Sequence, residues 1–369
     1  MGIKKRAVIA SGGTGGHFYP GFALAEELRR RGWQTLFLVK KEDIARPALE
    51  EADFPYAELD MVSLPRSLNP FAHLSFLLKF ARSLLLARRI MADYAPEAVI
   101  GTGSYVAFPA ALAARLAGIP VFIHESNAVF GLGNRLAGLF CSRAALGLPA
   151  AAPLPAGRTA LTGTPIRSAF AAKKLQDEAR LELGVEPGKF TVLVFGGSQG
   201  ARRLNAAFIK AAHALKGDIQ AVHIAGRRDY DQVRSAYEHA GLAGVKGFKL
   251  FDYREDMPAL YAAADAVLSR SGASTVAELV HLRKPSVLVP LPTSAGGHQK
   301  ANALALASRG AALCVEEGPD FDANLEAALR RLMNEPELLA ALKAGFETAG
   351  IPDGLGAAAA LADLVEGKS

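Results

Sequence analysis

Arg6-Ala-Val-Ile-Ala10, then Ser11-Gly-Gly-Thr-Gly-Gly16, then Pro20 and the run Gly21 to Arg31 decide the fold. The first run is short, apolar and β-branched at Val8 and Ile9, which predicts a buried strand. Gly21 to Arg31 has the look of a helix, with Pro20 at its entrance and Gly32 at its stop. Gln34 to Lys40 is the next strand. Together they make a βαβ unit with a glycine loop between strand and helix. The pattern recurs in the second half: Phe190 to Phe195, the loop Gly196-Gly-Ser-Gln-Gly200, then the helix Ala201 to Leu215. Ala98 to Ile100, Val121 to His124, Gln220 to Ala225, Ala266 to Ser269 and Ser286 to Pro290 read as further buried parallel strands. The fold class is α/β, with two doubly wound domains. The boundary falls near Leu161 to Ser168, dividing the chain into residues 1–163, 164–349 and a tail, 350–369, that holds a last helix, Gly356 to Val365.

A chain of 369 residues, 50% hydrophobic, is large enough for two cores and excludes disorder. Its 2 cysteines, Cys141 and Cys314, stand in no metal-ligand spacing, so neither a disulfide scaffold nor a zinc site is expected, and a reducing cytoplasm fits. The formal net charge of +6 permits partners that carry phosphate but does not choose among them. The opening residues offer only the short apolar stretch Ala7 to Ala10, less than a signal peptide needs. Residues 98–123 are long enough to cross a bilayer, but Gly101, Gly103, Pro109, Gly118 and Pro120 break them into strand, turn, helix and strand. No membrane span is expected.

Glycine after a buried strand lets backbone N–H groups approach an anion, and the following helix adds its positive end. Gly12 to Gly16, Gly101 to Tyr105 and Gly196 to Gly200 all qualify. None matches the P-loop or the dinucleotide fingerprint. The third also fits the G-x-S-x-G elbow of a hydrolase, with Ser198 as nucleophile and Asp265 and His298 as partners. Against that, a hydrolase normally has one sheet, and this loop opens the second of two repeated halves.

His17 closes the first loop, and His124-Glu-Ser-Asn127 follows a strand end, where α/β proteins bind ligands. Asp229-Tyr-Asp231 resembles a metal-binding D-x-D, but its place at a helix start favours capping. The segment Ser269 to Glu278 runs from a strand into a helix. Ser274 and Thr275 offer hydroxyls and N–H donors to a phosphate there, and Glu278 is within reach of a ribose diol. Gln299 and Asn302, three apart at a helix start, share a face suited to sugar hydroxyls.

Gly12-Gly-Thr-Gly-Gly-His17, Gly101-x-Gly-x-Tyr105, His124-Glu-x-Asn127 with Asn134, Gly163-Thr-Pro-Ile-Arg167, Gly196-Gly-Ser-Gln-Gly-Ala201, Arg270 to Glu278 and His298-Gln-x-x-Asn302 together resemble the MurG family, in order and over nearly the whole chain. The resemblance implies a GT-B architecture, two Rossmann-like domains facing a cleft. It implies transfer of N-acetylglucosamine from UDP-N-acetylglucosamine to lipid I, giving lipid II for the bacterial cell wall. On this reading the second half binds the donor. Arg167 and Ser198 would face the diphosphate, Gln199 would also bind the donor, Ala273, Ser274 and Thr275 would line phosphate and sugar, and Glu278 would hold the ribose. Gln299 and Asn302 would read the N-acetylglucosamine, and backbone near Arg254 the uracil. The first half binds the acceptor near Thr14, Gly15, His17, Tyr105, His124, Glu125, Asn127 and Asn134, and the C-terminal helix returns to it. Two departures stand out: Ser104 where the family usually has Gly, and Gly297 where an acidic residue is common.

The implied reaction is an inverting displacement by the 4-hydroxyl of the N-acetylmuramyl unit, with UDP leaving. His17 is the first candidate for the base that takes the hydroxyl proton and Glu125 the second. The positive helix end beside His17 disfavours a second positive charge and keeps the imidazole neutral. Helix N-termini and Arg167 stabilise UDP, so no cofactor and no active-site metal are expected. Between Arg66 and Arg89, Phe71, Leu74, Leu77, Leu78, Leu84 and Leu85 recur at roughly helical spacing among Lys79, Arg82, Arg88 and Arg89. Such a helix suits an anionic membrane surface, and a lipid-linked acceptor favours that over an ordinary core helix. The expected place is the cytoplasmic face of the cell membrane, held peripherally, with no nucleic-acid partner. The alternative within the fold is a UDP-N-acetylglucosamine 2-epimerase.

Overall fold

The computed structural model describes residues 5–62, 65, 69–150, 152–155, 157–197 and 200–368. The chain divides into two compact units, Met1–Ser168 with Ile351–Ser369, and Ala169–Gly350. The first holds strands β1 (Arg6–Ala10), β2 (Gln34–Lys40), β3 (Tyr56–Leu59), β4 (Ala98–Gly101), β5 (Val121–Glu125), β6 (Arg143–Leu146) and β7 (Thr159–Leu161). They form a parallel sheet in the order β3-β2-β1-β4-β5-β6-β7. Ile9 lies opposite Phe37 on one side and Ile100 on the other, and all three are fully buried. A strand covered on both faces needs this unbroken apolar run. The second unit repeats the plan with β8 (Thr191–Phe195), β9 (Gln220–Ile224), β10 (Phe248–Phe251), β11 (Ala266–Ser269), β12 (Ser286–Leu288) and β13 (Leu313–Cys314), in the order β10-β9-β8-β11-β12-β13. In each sheet the order reverses beside the first strand, which puts a crevice between the loops after β1 and β4, and between those after β8 and β11.

The first helix spans Gly15–Arg30 and so begins six residues before the expected Gly21, with Pro20 inside it. The first four N–H groups of a helix have no partner within it, so a proline at the sixth position removes a single bond. The Phe18 N–H reaches the Thr14 carbonyl at 2.9 Å and closes the first turn. His17 therefore stands in the first helical turn, not in the loop.

The division between units falls after Ser168 rather than after Gly163. The Ile166 N–H donates to Gly354 O at 3.3 Å, and Gly163 lies against Pro352, which ties residues 163–166 to the tail. The tail helix, Gly354–Glu366, buries Leu361, Ala362, Leu364 and Val365 with Ala7, Ile9 and Leu24 of the first unit. Arg31 holds its polar side, with its guanidinium 2.6 Å from Asp363 and 2.8 Å from Glu366, and Trp33 Nε1 donates to Glu366 at 3.0 Å.

Residues 98–123 fold as β4, the helix Ala107–Leu116 and β5, as their glycines and prolines require. The helix Pro70–Tyr94 is the one described helix that is long and apolar enough, by length and composition, to cross a membrane. Phe76, Ser83, Ala87 and Met91 are its buried stripe. Leu84 packs partly against the core, whereas Phe71, Leu74, Leu77, Leu78, Leu85 and Leu86 are exposed, Phe71 by 80%. At 100° per residue, Phe71, Leu74, Leu78 and Leu85 lie on the side away from the buried stripe, together with Arg82 and Arg89.

Candidate functional site

In the first unit, the crevice beside β1 gathers the candidate acceptor residues. Gly12 and Gly13 turn the chain with φ of 126° and 81°, a region that favours glycine. The Ser11 and Thr102 hydroxyls donate to the His17 carbonyl at 2.9 and 2.7 Å, which pins the start of the helix. Thr14 Oγ1 lies 3.3 Å from His17 Nδ1, so the ring's other edge turns to the second glycine loop. A Cβ on Gly103 would stand 2.7 Å from His17 Cδ2 and 3.1 Å from Nε2; only glycine lets the ring lie there. Gly15 opens the helix against Tyr19, and Tyr105 is half-buried in the turn after β4. Ser104, one of the two departures, is buried with its hydroxyl 3.8 Å from the place of a Gly13 Cβ, so it fills space between two loops of its own unit.

His124 and Glu125 end β5. His124 is fully buried, donates from Nε2 to Gly163 O at 3.0 Å and takes the Ser126 hydroxyl on Nδ1 at 3.2 Å. Burial holds it below the usual imidazole range. Glu125 is buried and both oxygens are filled. Oε1 accepts from Asn127 N and Nδ2 at 3.0 and 2.9 Å, and Oε2 from Gly131 N and Asn134 Nδ2, both at 2.9 Å. Both carboxylate oxygens of Glu125, the second candidate base, are thus engaged by neighbours of its own unit. Asn134 is fully buried and also donates to His124 O at 2.9 Å. Arg167 belongs to this unit as well, its guanidinium 5.2 Å from the Tyr19 ring centre.

In the second unit, the helix Ala273–Leu282 starts behind β11 with no side-chain cap at Gly272. The Ser274 hydroxyl is buried without a hydrogen-bond partner among the described residues. Ala273 is buried and Thr275 half-buried beside it. Glu278, in the second turn, takes the hydroxyl of the fully buried Tyr261 on Oε2 at 2.8 Å. Gln299 accepts Leu291 N on Oε1 at 2.9 Å, and its carbonyl takes the Ser271 hydroxyl at 2.8 Å. Asn302 is fully buried and gives Nδ2 to Ser271 O at 3.1 Å, so it ties its helix to the turn after β11. Gly297, the other departure, has φ of 66° directly before the helix His298–Ala307, where an acidic side chain would be strained. Arg254 is half-buried, 5.0 Å from the Phe251 ring centre.

Ser198 and Gln199 lie outside the described residues. Their proposed hydrolase partner Asp265 precedes β11 and binds Arg180 and the Thr191 N–H, both at 2.7 Å, at the start of β8. Asp265 thus stands at the Thr191 end of β8, whereas Ser198 follows the Phe195 end in sequence. Asp229 sits at a helix start but makes no capping bond; it accepts from Arg202 Nε at 3.1 Å beneath Gly200. Among the described residues no group of three or more His, Cys, Asp or Glu is placed to hold a metal ion. Sequence reasoning passed over Tyr261 and Asp43. Asp43 is a buried acid after β2 that binds the first glycine loop, and its position just beyond a strand next to β1 was the available signal.

Residues 7–146 match the glycosyltransferase family 28 N-terminal domain and residues 191–355 the glycosyltransferase family 28 C-terminal domain. The chain is similar to the UDP-N-acetylglucosamine–N-acetylmuramyl-(pentapeptide) pyrophosphoryl-undecaprenol N-acetylglucosamine transferase of Elusimicrobium minutum, 40% identical over 98% of this chain and 99% of that one. The enzyme of the same name from Halothermothrix orenii is 35% identical over 94% and 95%. The crystal structure of Acinetobacter baumannii MurG superposes with a TM-score of 0.78 at 29% identity, covering 98% of this chain and 99% of that one. With two parallel α/β units, both family 28 domains and relatives of this identity over nearly its full length, the chain belongs to the MurG family of glycosyltransferases.

Proposed function

We propose that the chain transfers N-acetylglucosamine from UDP-N-acetylglucosamine to the 4-hydroxyl of the N-acetylmuramyl unit of lipid I, giving lipid II. The observation that carries the reading is the end of β11. A buried hydroxyl, Ser274, with no partner among the described residues, stands at an uncapped helix start, which suits an anion by charge and by hydrogen bonding. Glu278 follows one turn on in the same helix, where it would meet the ribose. Asn302 acts through Ser271 by fixing this turn, and Gln299 and backbone near Arg254 complete the donor's surroundings.

The hydroxyl oxygen attacks the anomeric carbon, the carbon–oxygen bond to UDP breaks, and His17 takes the hydroxyl proton. Its ring is anchored at Nδ1 by Thr14 and backed by Gly103, so the ring is held for proton transfer before substrate arrives. Glu125 is a positioning residue. Its four accepted hydrogen bonds fix Asn127, Gly131 and Asn134 beside the acceptor. The departing UDP is met by the start of the helix Ala273–Leu282, with no metal required.

The membrane role of the helix Pro70–Tyr94 rests on its two apolar sides. One is spent on the core; the other exposes Phe71, Leu74, Leu78 and Leu85 with Arg82 and Arg89, the composition of a helix lying on anionic lipid. The chain then works peripherally at the cytoplasmic face of the membrane, where a lipid-linked acceptor is presented. A test is the release of UDP: the account expects it only when donor and a lipid I analogue are both present. Release at an equal rate without the analogue would overturn it.

A further inference from the structure

Both units place a buried aspartate under their first glycine loop, and the two differ in how its charge is met. In the second unit Asp229 lies against Gly200 and is paired with Arg202 at 3.1 Å. In the first, Asp43 is 6% exposed and makes no ion pair among the described residues. Its Oδ2 accepts the Gly13 N–H at 2.7 Å and its Oδ1 accepts the Ala45 N–H at 3.0 Å. A Cβ on Gly12 would stand 2.6 Å from Oδ2, so the loop is moulded on this carboxylate. The turn that delivers Asp43 holds Glu42 at φ of 56°, a left-handed conformation that costs a non-glycine residue of order 1 kcal/mol. The helix that follows the loop has no acidic residue in its first turn and no side-chain cap at Thr14.

We propose that Asp43 is a built-in anion for the first glycine loop and a positioning residue for transfer. Its carboxylate meets the Gly13 N–H from within the chain. It fixes the loop whose next turn carries His17. The inference rests on the proposed reaction for its kinetic part alone.

The test uses the full chain with Asp43→Ala and the near-isosteric Asp43→Asn. The first readout needs no activity: hydrogen exchange at the Gly13 amide. It should be slow in the parent, fast in Asp43→Ala, and slowed again by added sodium acetate, with sodium chloride as the ionic control. The second readout is turnover. A displaced catalytic group costs on the order of 10²-fold in kcat, so Asp43→Ala should fall by about that factor with donor KM little changed, and acetate should return part of the loss. Asp43→Asn keeps one acceptor but loses the charge; it should melt near the parent temperature and still lose kcat. Gly13 exchange that is the same in parent and Asp43→Ala, or a loss that acetate cannot restore in either readout, would overturn the role of Asp43. A parent chain that exchanges as expected but transfers no sugar would overturn the proposed reaction and leave the built-in anion standing.

Discussion

Replacing Glu278 by Gln tests the proposed ribose contact. Glu278 Oε2 accepts the hydroxyl of Tyr261, a residue with no exposure, so any variant must keep that bond or leave a buried hydroxyl unpaired. A glutamine keeps an acceptor for Tyr261 and loses the charge offered to the ribose. A hydrogen bond to a charged group contributes about 1.5–3 kcal/mol, so Glu278→Gln should weaken UDP binding by roughly 10- to 150-fold. Glu278→Leu would strand the Tyr261 hydroxyl as well, at a further cost of about 1–3 kcal/mol in stability. The assay is calorimetric titration with UDP and, separately, with uridine. The ribose contact is common to both ligands, so Glu278→Gln should weaken both by a similar factor. Ser274→Ala, which touches the phosphate side, should weaken UDP and leave uridine nearly unchanged. Unchanged UDP affinity in Glu278→Gln, or a loss confined to UDP, would refute the assignment.

His17→Ala should lower kcat by roughly 10²–10⁴-fold with donor KM nearly constant, read by steady-state kinetics over pH; a variant that only raises acceptor KM would make His17 a binding residue. Arg82→Glu with Arg89→Glu should cut cosedimentation with anionic vesicles at low salt and spare turnover on a short-chain soluble acceptor; equal vesicle binding would count against the membrane role. The clasp of the tail helix is pH-dependent. Lys368, Trp33 and Arg31 hold the Glu366 carboxyl down at about 2, from an ordinary 4.5. A carboxyl depressed in the folded state stabilises above its unfolded value and loses that contribution as pH falls through the folded one. The melting temperature of Glu366→Gln should therefore lie below the parent's at pH 7, with the gap closing between about pH 4.5 and 2; a gap that persists at pH 2 would contradict this.

Parallel strands were legible because burial on both faces demands continuous apolar runs, as in Thr191–Phe195 and Ala266–Ser269. The start of the first helix was not. Pro20 marks a helix entrance by its lack of an N–H, yet one missing bond is tolerated deeper in when the surrounding turn is pinned, here by Ser11 and Thr102. The sequence placed Glu125 at a strand end but could not count its donors, because Gly131 and Asn134 come from the next loop and helix. Gln299 and Asn302 do stand three apart on one helix. That spacing could not tell that Asn302 also gives Nδ2 to the Ser271 carbonyl, a contact between segments about thirty residues apart. Asp43 escaped for the same reason: its meaning lies in the loop of a neighbouring strand.

The most direct measurement of the central claim is to incubate the purified chain with radiolabelled UDP-N-acetylglucosamine, with and without a lipid I analogue, and identify the products by mass spectrometry and NMR. The account predicts a lipid-linked disaccharide with a β1→4 linkage and free UDP when the analogue is present, and unchanged donor when it is not. Formation of the manno epimer from donor alone, or no disaccharide with the analogue present, would contradict it.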